Sequence, residues 1–429
     1  MAVIAESPSR ASPLFSNLTN LYALPISERP RKTWAQFLNA VAFGMLFHLG
    51  CVLINVAQFV LLLPLRPFCL VPIVRRLYDA GIRRSKGAFG TLLVTMCAWF
   101  GPTNFVITFE TEGPGKFTRD ELEKLVERDS EGNVFLNLPT KSVLIANHQI
   151  YADWWYAWCL TYFMNTHRDV YIVLKKSLKW VPILGWGMQF YNFIFLARSW
   201  ASDRLYLANR LAWLGKRAQE QDIPLTFILY PEGTLVSPDT RPISKKYADK
   251  LGIPDMAHTL MPRSTGLHHS LRALAPRISN LKVIDVTVAY PGIPEFKYGQ
   301  SYYTLRSIFF DGIPPPAVHM HIRVFDVSRD VPIGDISASN PNVLPQNRSQ
   351  AVETEVPEKE REAFDLWLRD LWREKDSMMV RYLETGTFAE EGQKEVVIPV
   401  RFRSRWEALT PFGFFIPDVV VWARGRVGL

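Results

Sequence analysis

The stretch LIANHQIYADWW, residues 144–155, combines a histidine and an acidic residue at close spacing. His148 follows an apolar run, and Asp153 comes five residues later. Five residues along a regular helix rotate a side chain by about 140°, so the pair cannot share one helical face. The two side chains meet if His148 lies in a turn after a strand and Asp153 lies in the first turn of the next helix. Asp153 would then bind one imidazole nitrogen and leave the other free to accept a proton, as in a catalytic dyad.

Three further stretches place polar side chains next to predicted strands or turns. FIFLARSW puts Arg198 just past an apolar strand, where a guanidinium can bind a phosphate. FILYPEGT ends a buried strand in a turn with a carboxylate, a glycine and a hydroxyl, and TLMPRSTG supplies a second polar turn. In an open α/β sheet, ligands bind beyond the carboxyl ends of the strands. These stretches therefore predict one site at one edge of a sheet.

In order and content, the four stretches resemble the blocks of the glycerolipid acyltransferase family, the 1-acylglycerol-3-phosphate acyltransferases and their relatives. NHQIYAD is similar to the first block, NFIFLAR to the second, YPEGT to the third and LMPR to the fourth. KKSLKWVPILGWGMQ and VIDVTVAYPG resemble the subgroup of lysocardiolipin and lysophosphatidylinositol acyltransferases. The chain departs from the family at Asn192, often a glycine, and at Leu235, often an arginine. The missing arginine favours acceptors with a headgroup larger than that of lysophosphatidic acid.

The resemblance implies an acyl-CoA-dependent transfer to a free glycerol hydroxyl of a lysophospholipid: lysophosphatidylinositol, lysocardiolipin or lysophosphatidic acid. His148 would be the general base, Asp153 would orient it, and Arg198 would bind the acceptor phosphate. The other residues assigned to substrate binding are Asn147, Glu232, Gly233, Thr234, Pro262 and Arg263. Acyl-CoA would be the co-substrate, and we expect no cofactor and no metal.

A basic cluster offers a further phosphate contact for the headgroup or the coenzyme, although a solvated basic face explains it equally well. Its members are Lys175, Lys176 and Lys179. Two other functions stay open at this point: a coenzyme-independent phospholipid transacylase, and a non-catalytic membrane protein that binds lipid. The chain lacks GxSxG, so a serine-hydrolase nucleophile elbow is excluded.

Composition favours a lipid partner. Hydrophobic residues make up 48% of the 429 residues, 13 are tryptophan, and the net charge is +8. A basic excess favours an anionic partner, and no nucleic-acid-binding motif accompanies it. The four cysteines lie among apolar residues without metal-binding spacing.

Residues 33–65 contain no charged residue, which predicts a transmembrane or re-entrant helix. Basic residues are more numerous after this segment than before it, so we expect the catalytic part to face the cytosol, at the endoplasmic reticulum membrane. Strands alternate with helices further on, which predicts an α/β fold with a mixed sheet flanked by helices. The predicted organisation is a disordered tail (1–32), a membrane-associated segment (33–110), an acyltransferase domain (111–326), a linker (327–356) and a C-terminal helical region with interfacial membrane contact (357–429).

Overall fold

The structure is a computed structural model that describes residues 20–197, 199–340, 342 and 355–413. The helices are α1 (Trp34–Ala57), α2 (Pro72–Phe100), α3 (Arg119–Leu125), α4 (Asp153–Phe163), α5 (Leu184–Phe190), α6 (Trp200–Glu220), α7 (Arg241–Leu251), α8 (Ser264–Leu274), α9 (Val327–Asp330) and α10 (Glu358–Thr385). The strands are β1 (Asn104–Phe109), β2 (Val126–Arg128), β3 (Val134–Leu136), β4 (Lys141–Ala146), β5 (Val170–Lys175), β6 (Ile194–Leu196), β7 (Leu225–Leu229), β8 (Lys282–Ala289), β9 (Ala317–Asp326) and β10 (Val396–Pro399).

Eight strands form one mixed sheet in the order β10-β1-β9-β8-β4-β7-β5-β6. The five strands from β8 to β6 in that order are all parallel to one another. Strand β9 runs antiparallel to β8, β1 runs parallel to β9, and β10 closes the edge antiparallel to β1. Because the central strands are parallel, their carboxyl ends meet at one edge, which positions the turns that follow them.

The helices cover both faces of the sheet, as buried central strands require. Alternate residues of β4 point to opposite faces: Leu144 packs in a cluster with α1, α2 and α4, and Ile145 packs in a second cluster with α6, α8 and α10. The predicted α/β class with a mixed sheet and flanking helices is therefore confirmed.

Helix α1 packs along its length on the rest of the protein, and two of its polar residues form hydrogen bonds that hold it there. The helix continues through a π-helical and a 3₁₀ turn to Phe68, and this stretch is long and apolar enough to cross a membrane. Asn39 donates a hydrogen bond to the carbonyl of Phe309 (3.0 Å), and Asn55 donates one to Ile183 (2.7 Å). Two polar interruptions of the apolar segment, Asn39 and Asn55, thus attach the helix to the rest of the protein.

The opposite face of α1 is an exposed apolar stripe. Its spacing of three to four residues follows the helical repeat. The stripe, called here the stripe of α1, begins on α1 and continues into the π-helical and 3₁₀ turns after it. It comprises Trp34, Phe37, Leu38, Val41, Met45, Leu49, Val52, Val56, Phe59, Val60 and Leu63. In this structure α1 therefore has one side packed on protein and one side available to an apolar environment.

The structure corrects two N-terminal boundaries of the predicted organisation. Residues 20–32 belong to the fold, since Arg29 donates to the carbonyl of Tyr302 and Lys32 pairs with Asp311, so the predicted disordered tail is wrong for this part. Residues 1–19 lie outside the described residues. Strand β1, assigned to the membrane segment, is the second strand of the sheet.

The C-terminal region is also part of the sheet domain rather than a separate helical region. Helix α10 packs on the sheet through Phe364 and Trp372, both fully buried, and β10 adds the edge strand. In the predicted linker, Val331 and Ile333 are buried in the same cluster. The predicted interfacial stretch, residues 411–422, lies outside the described residues from residue 414 onwards.

A buried charge cluster joins α10 to the sheet. The Asp285 carboxylate on β8 lies 2.6 Å from the Lys375 ammonium and 2.8 Å from the Arg323 guanidinium, and all three side chains are at most 1% exposed. Lys375 also donates to the carbonyl of Val286 (2.8 Å). Removing one member of a buried cluster leaves the opposite charge unpaired, which is strongly destabilising.

We predict that Asp285→Ala lowers the free energy of unfolding by about 3–5 kcal/mol, because the buried Lys375 ammonium loses its carboxylate and Arg323 keeps only its pair with Glu374. The measurement is denaturant unfolding of the purified protein in detergent. The control is Asp370→Ala, which removes an exposed pair with Arg373 and should change the free energy of unfolding by less than about 1 kcal/mol. Equal stability of the two variants would contradict the role of the cluster.

Candidate functional site

The turn after β4 brings His148 and Asp153 together. Strand β4 ends at Ala146 and α4 begins at Asp153, so the two residues lie on either side of a short turn. The imidazole Nδ1 is 2.7 Å from the Asp153 Oδ2 atom. With the Nδ1 proton donated to the carboxylate, Nε2 carries the free lone pair, and it has no hydrogen-bond partner in the described chain. The His148 side chain is 18% exposed, so Nε2 is open to a substrate.

The Asp153 carboxylate is held by four donors. Its Oδ2 atom also accepts the backbone N–H groups of Gln149 (2.7 Å) and Ile150 (3.0 Å), and its Oδ1 atom accepts the Tyr290 hydroxyl (2.5 Å). The side chain is 1% exposed. A buried carboxylate needs such partners, and here they also fix its orientation towards His148.

Two tyrosines, which follow the strands on either side of β4, contact the dyad. Tyr290 follows β8, and burial together with the adjacent Asp153 raises its pKa well above the usual value, so the hydroxyl remains a donor. Tyr230 follows β7, and its ring stacks on the imidazole with centroids 4.6 Å apart. Strands β7 and β8, which flank β4, are therefore each followed by one tyrosine that contacts His148 or its partner.

Glu232 is a buried positioning residue rather than an open ligand. Its Oε1 atom accepts the backbone N–H of His148 (3.3 Å) and the indole N–H of Trp372 (3.2 Å). Burial raises the pKa of Glu232 to about 8, against the opposing effect of these hydrogen bonds. We predicted that this side chain contacts the substrate. In the structure it instead links the base, the turn after β7 and α10.

The other predicted residues of the two polar turns, except Pro262, face solvent at the site. Gly233, at a φ of 74°, and Thr234 are exposed. Arg263 donates its backbone N–H to the carbonyl of Pro231 (2.8 Å), and its exposed side chain lies beside Gly233. Pro262 is buried and shapes this junction. The structure thus brings the predicted third and fourth blocks into contact.

Asn147 does not have the predicted substrate-binding position. Its amide is fully buried, its Nδ2 donates to the carbonyl of Val288 (2.9 Å), and its Oδ1 accepts the N–H of the same residue (2.7 Å). Both polar ends are used, because they continue the pairing of β4 and β8 beyond the last strand residue. Asn147 therefore fixes the direction of the turn that carries His148.

The predicted basic cluster lies on the same edge of the sheet, two strands away from β4. Lys175 ends β5, and Lys176 and Lys179 form the 3₁₀ turn that follows. Lys175 and Lys176 are exposed, and among the described residues none of the three forms an ion pair. Arg198 lies outside the described residues, although β6 ends at Leu196 on this edge.

A cavity of about 220 Å³ opens beside the dyad. Gln149 and Tyr290 line it next to the dyad, and α10 supplies Met379 and Tyr382. The loop of residues 256–258 also lines it, and α10 fixes the shape of this loop. The Asp376 carboxylate on α10 accepts the backbone N–H groups of three consecutive residues at 2.7–2.8 Å: Ala257, His258 and Thr259.

Sequence reasoning missed Trp372 and Asp376 because only tertiary packing brings α10 to the site. It also assigned no role to Tyr230 or Tyr290. A signal existed for both tyrosines, since each follows an apolar strand directly, as His148 nearly does. The residues just past the parallel strands were therefore candidates for the site even where no motif marked them.

Comparisons with known proteins identify relatives over most of the chain. The family model described as Acyltransferase matches residues 131–291, and the one described as Acyltransferase C-terminus matches residues 351–410. The 2-acyl-1-lysophosphatidylinositol acyltransferase of Saccharomyces cerevisiae is 34% identical over 80% of this chain and 85% of its own length. The lysocardiolipin acyltransferase 1 of Danio rerio is 31% identical over 57% of this chain and 53% of its own length. No solved structure gives a significant match.

The raised pKa of Glu232 generates a pH-dependent prediction. Between its usual value near 4.5 and about 8, the unfolded protein releases this proton while the folded protein keeps it. The folded state then binds more protons, so this group lowers stability as pH rises through that window. Glu232→Gln copies the neutral carboxyl, and we expect its stability relative to wild type to increase from pH 5 to pH 8 in thermal unfolding.

Glu232→Ala is the matched comparison. It leaves the indole of Trp372 and the N–H of His148 without an acceptor, at about 1–3 kcal/mol for each buried group, so it should be less stable than Glu232→Gln at every pH. A Gln variant that loses stability with rising pH exactly as the wild type does would show that Glu232 is ionised in the folded protein.

Proposed function

The chain belongs to the acyltransferase family that acts on glycerolipids, and on that basis we propose that it is a membrane-bound, acyl-CoA-dependent lysophospholipid acyltransferase. The observation that carries the proposal is the imidazole of His148, held at Nδ1 by a buried carboxylate and open at Nε2. Lysophosphatidylinositol is the acceptor class we favour, since it is named for the relative of Saccharomyces cerevisiae.

The reaction follows from this geometry. The glycerol hydroxyl of the lysophospholipid gives its proton to Nε2 of His148 as its oxygen attacks the thioester carbonyl of acyl-CoA. The tetrahedral intermediate collapses with cleavage of the C–S bond, and the imidazolium returns the proton to the leaving thiolate. Asp153 stabilises the imidazolium and keeps its proton on the correct nitrogen.

Charges around the dyad suit two phosphate-bearing substrates. Arg263 and the exposed turn of Gly233 and Thr234 border the base on one side, and the lysine cluster lies beyond β7 on the same edge. We propose that these groups, with Arg198, bind the acceptor phosphate and the coenzyme phosphates. A guanidinium is suited to the former because it binds phosphate with two parallel hydrogen bonds.

The exposed stripe of α1 supports membrane binding. A row of large apolar side chains on a helix fixed to the catalytic domain is stabilised in the apolar part of a bilayer. Membrane association would also deliver an acceptor that itself resides in the membrane. The cytosolic orientation of the catalytic part stays a prediction from the distribution of basic residues, and location at the endoplasmic reticulum stays a prediction as well.

The decisive experiment is a transfer assay with purified protein in detergent. It uses a panel of lysophospholipids with either labelled acyl-CoA or labelled phospholipid as the donor. We expect transfer from acyl-CoA, and a loss of at least about 100-fold for His148→Ala, since a positioned general base contributes that much or more. His48→Ala, an exposed histidine bonded only within α1, is the control. Near-normal turnover of His148→Ala would refute the dyad, and transfer from phospholipid alone would identify a transacylase.

Arg198→Ala tests the acceptor site separately. We predict a higher KM for the lysophospholipid with an unchanged KM for acyl-CoA, because the guanidinium is proposed to bind only the acceptor phosphate. Arg329→Ala, which removes an exposed arginine paired with Asp330, is the control. A rise confined to the KM for acyl-CoA would place Arg198 on the donor side instead.

A further inference from the structure

A second cleft, of about 660 Å³, lies where the end of the apolar segment meets the domain. The turn after α1 and the start of α2 form one wall, and α5 and α6 form the other. The residues that line it are Phe59, Leu63, Arg66, Cys69, Arg75, Tyr78, Asp79, Trp186, Gln189, Phe190, Asn192 and Trp213. It therefore combines two arginines with aromatic rings and polar hydrogen-bonding groups.

Arg66 and Arg75 are available to a ligand. Neither guanidinium has a hydrogen bond or an ion pair with any other described residue. The one carboxylate in the cleft, Asp79, lies 3.5 Å from Arg217 instead. A third guanidinium, that of Arg210, stands behind the wall and donates to the Asn192 Oδ1 atom (3.3 Å). The cleft thus presents uncompensated positive charge, which favours an anion.

The same cleft is continuous with the exposed apolar surface. Phe59 and Leu63 belong both to its wall and to the stripe of α1, and Phe59 packs edge-on against Trp186 and Phe190 at centroid distances of 6.4 and 5.4 Å. Next to the cleft, Leu70 is 95% exposed at the tip of the turn between α1 and α2. An anion that binds here therefore has a path for attached hydrocarbon chains along the protein surface.

The cleft lies towards the edge of the sheet where the parallel strands begin, and the dyad lies at the edge where they end. Asn192 precedes β6, whereas His148 follows β4, and the two strands run parallel within one sheet. Arg217 and Asp79 meet near the last turn of α6, which returns from the carboxyl edge to the amino edge. Among the described residues, none that lines the cleft also lines the cavity beside the dyad. The two sites are separate.

We propose that this cleft binds the headgroup of an intact anionic phospholipid as a structural ligand, with Arg66 and Arg75 on the phosphate and the acyl chains along the stripe of α1. Aromatic rings with polar edges, here Tyr78 and Trp186, suit the depth of lipid headgroups in a bilayer. The lipid would fix the depth at which the end of the apolar segment sits, independently of catalysis.

The test is native mass spectrometry of the full chain in detergent with equal amounts of diacyl phosphatidylcholine and diacyl phosphatidylserine. A diacyl lipid has no free glycerol hydroxyl, so it is not an acceptor. We expect preferential retention of phosphatidylserine and a loss of that preference by about 20- to 30-fold in Arg66→Gln/Arg75→Gln, from the usual contribution of basic residues at anionic lipid surfaces.

The control is Arg119→Gln/Arg128→Gln, which removes the same charge from exposed positions on α3 and β2. It should keep the preference for phosphatidylserine, and both double variants should keep wild-type turnover in detergent. Equal retention of the two lipids by the wild type, or an equal loss in the control, would overturn the proposal. So would retention of phosphatidylserine by Arg66→Gln/Arg75→Gln.

Discussion

The buried Asp153 carboxylate is the interaction on which the rest of the site depends. It would be unfavourable in a dry position without partners, and its four donors come from the turn after β4, from His148 and from the end of β8. The parallel strands must therefore end in register for the carboxylate to be satisfied. The ends of β4 and β8 bring the donors around this one charge, and the orientation of the base follows from that.

The motifs were predictable from the sequence because local rules determine them. Apolar runs marked β4, β7 and β8, and the residues just past them carry the base, Glu232 and Tyr290. The roles within a motif were harder to assign. Asn147 and Glu232 looked like ligands, yet each is buried and binds backbone or indole groups, and only the packing of neighbouring strands reveals this.

The apolar segment of residues 33–65 shows the same limit. Residues 33–65 read as a span because they lack charge, and the structure does contain a helix long enough. The sequence marked Asn39 and Asn55 only as interruptions, because their acceptors lie more than a hundred positions away. A hydropathy pattern indicates whether a helix is apolar enough to enter a membrane. It does not show which face of the helix packs against another part of the same chain.

The contacts of α10 have a consequence for the order of events during synthesis. Trp372 and Asp376 are translated long after His148 and Glu232. They nevertheless supply the indole donor to Glu232 and the carboxylate that holds the loop beside the cavity at the dyad. A nascent chain that has emerged only as far as β9 has its base but lacks this support. The base therefore gains this support only after α10 has been synthesised and has packed on the sheet.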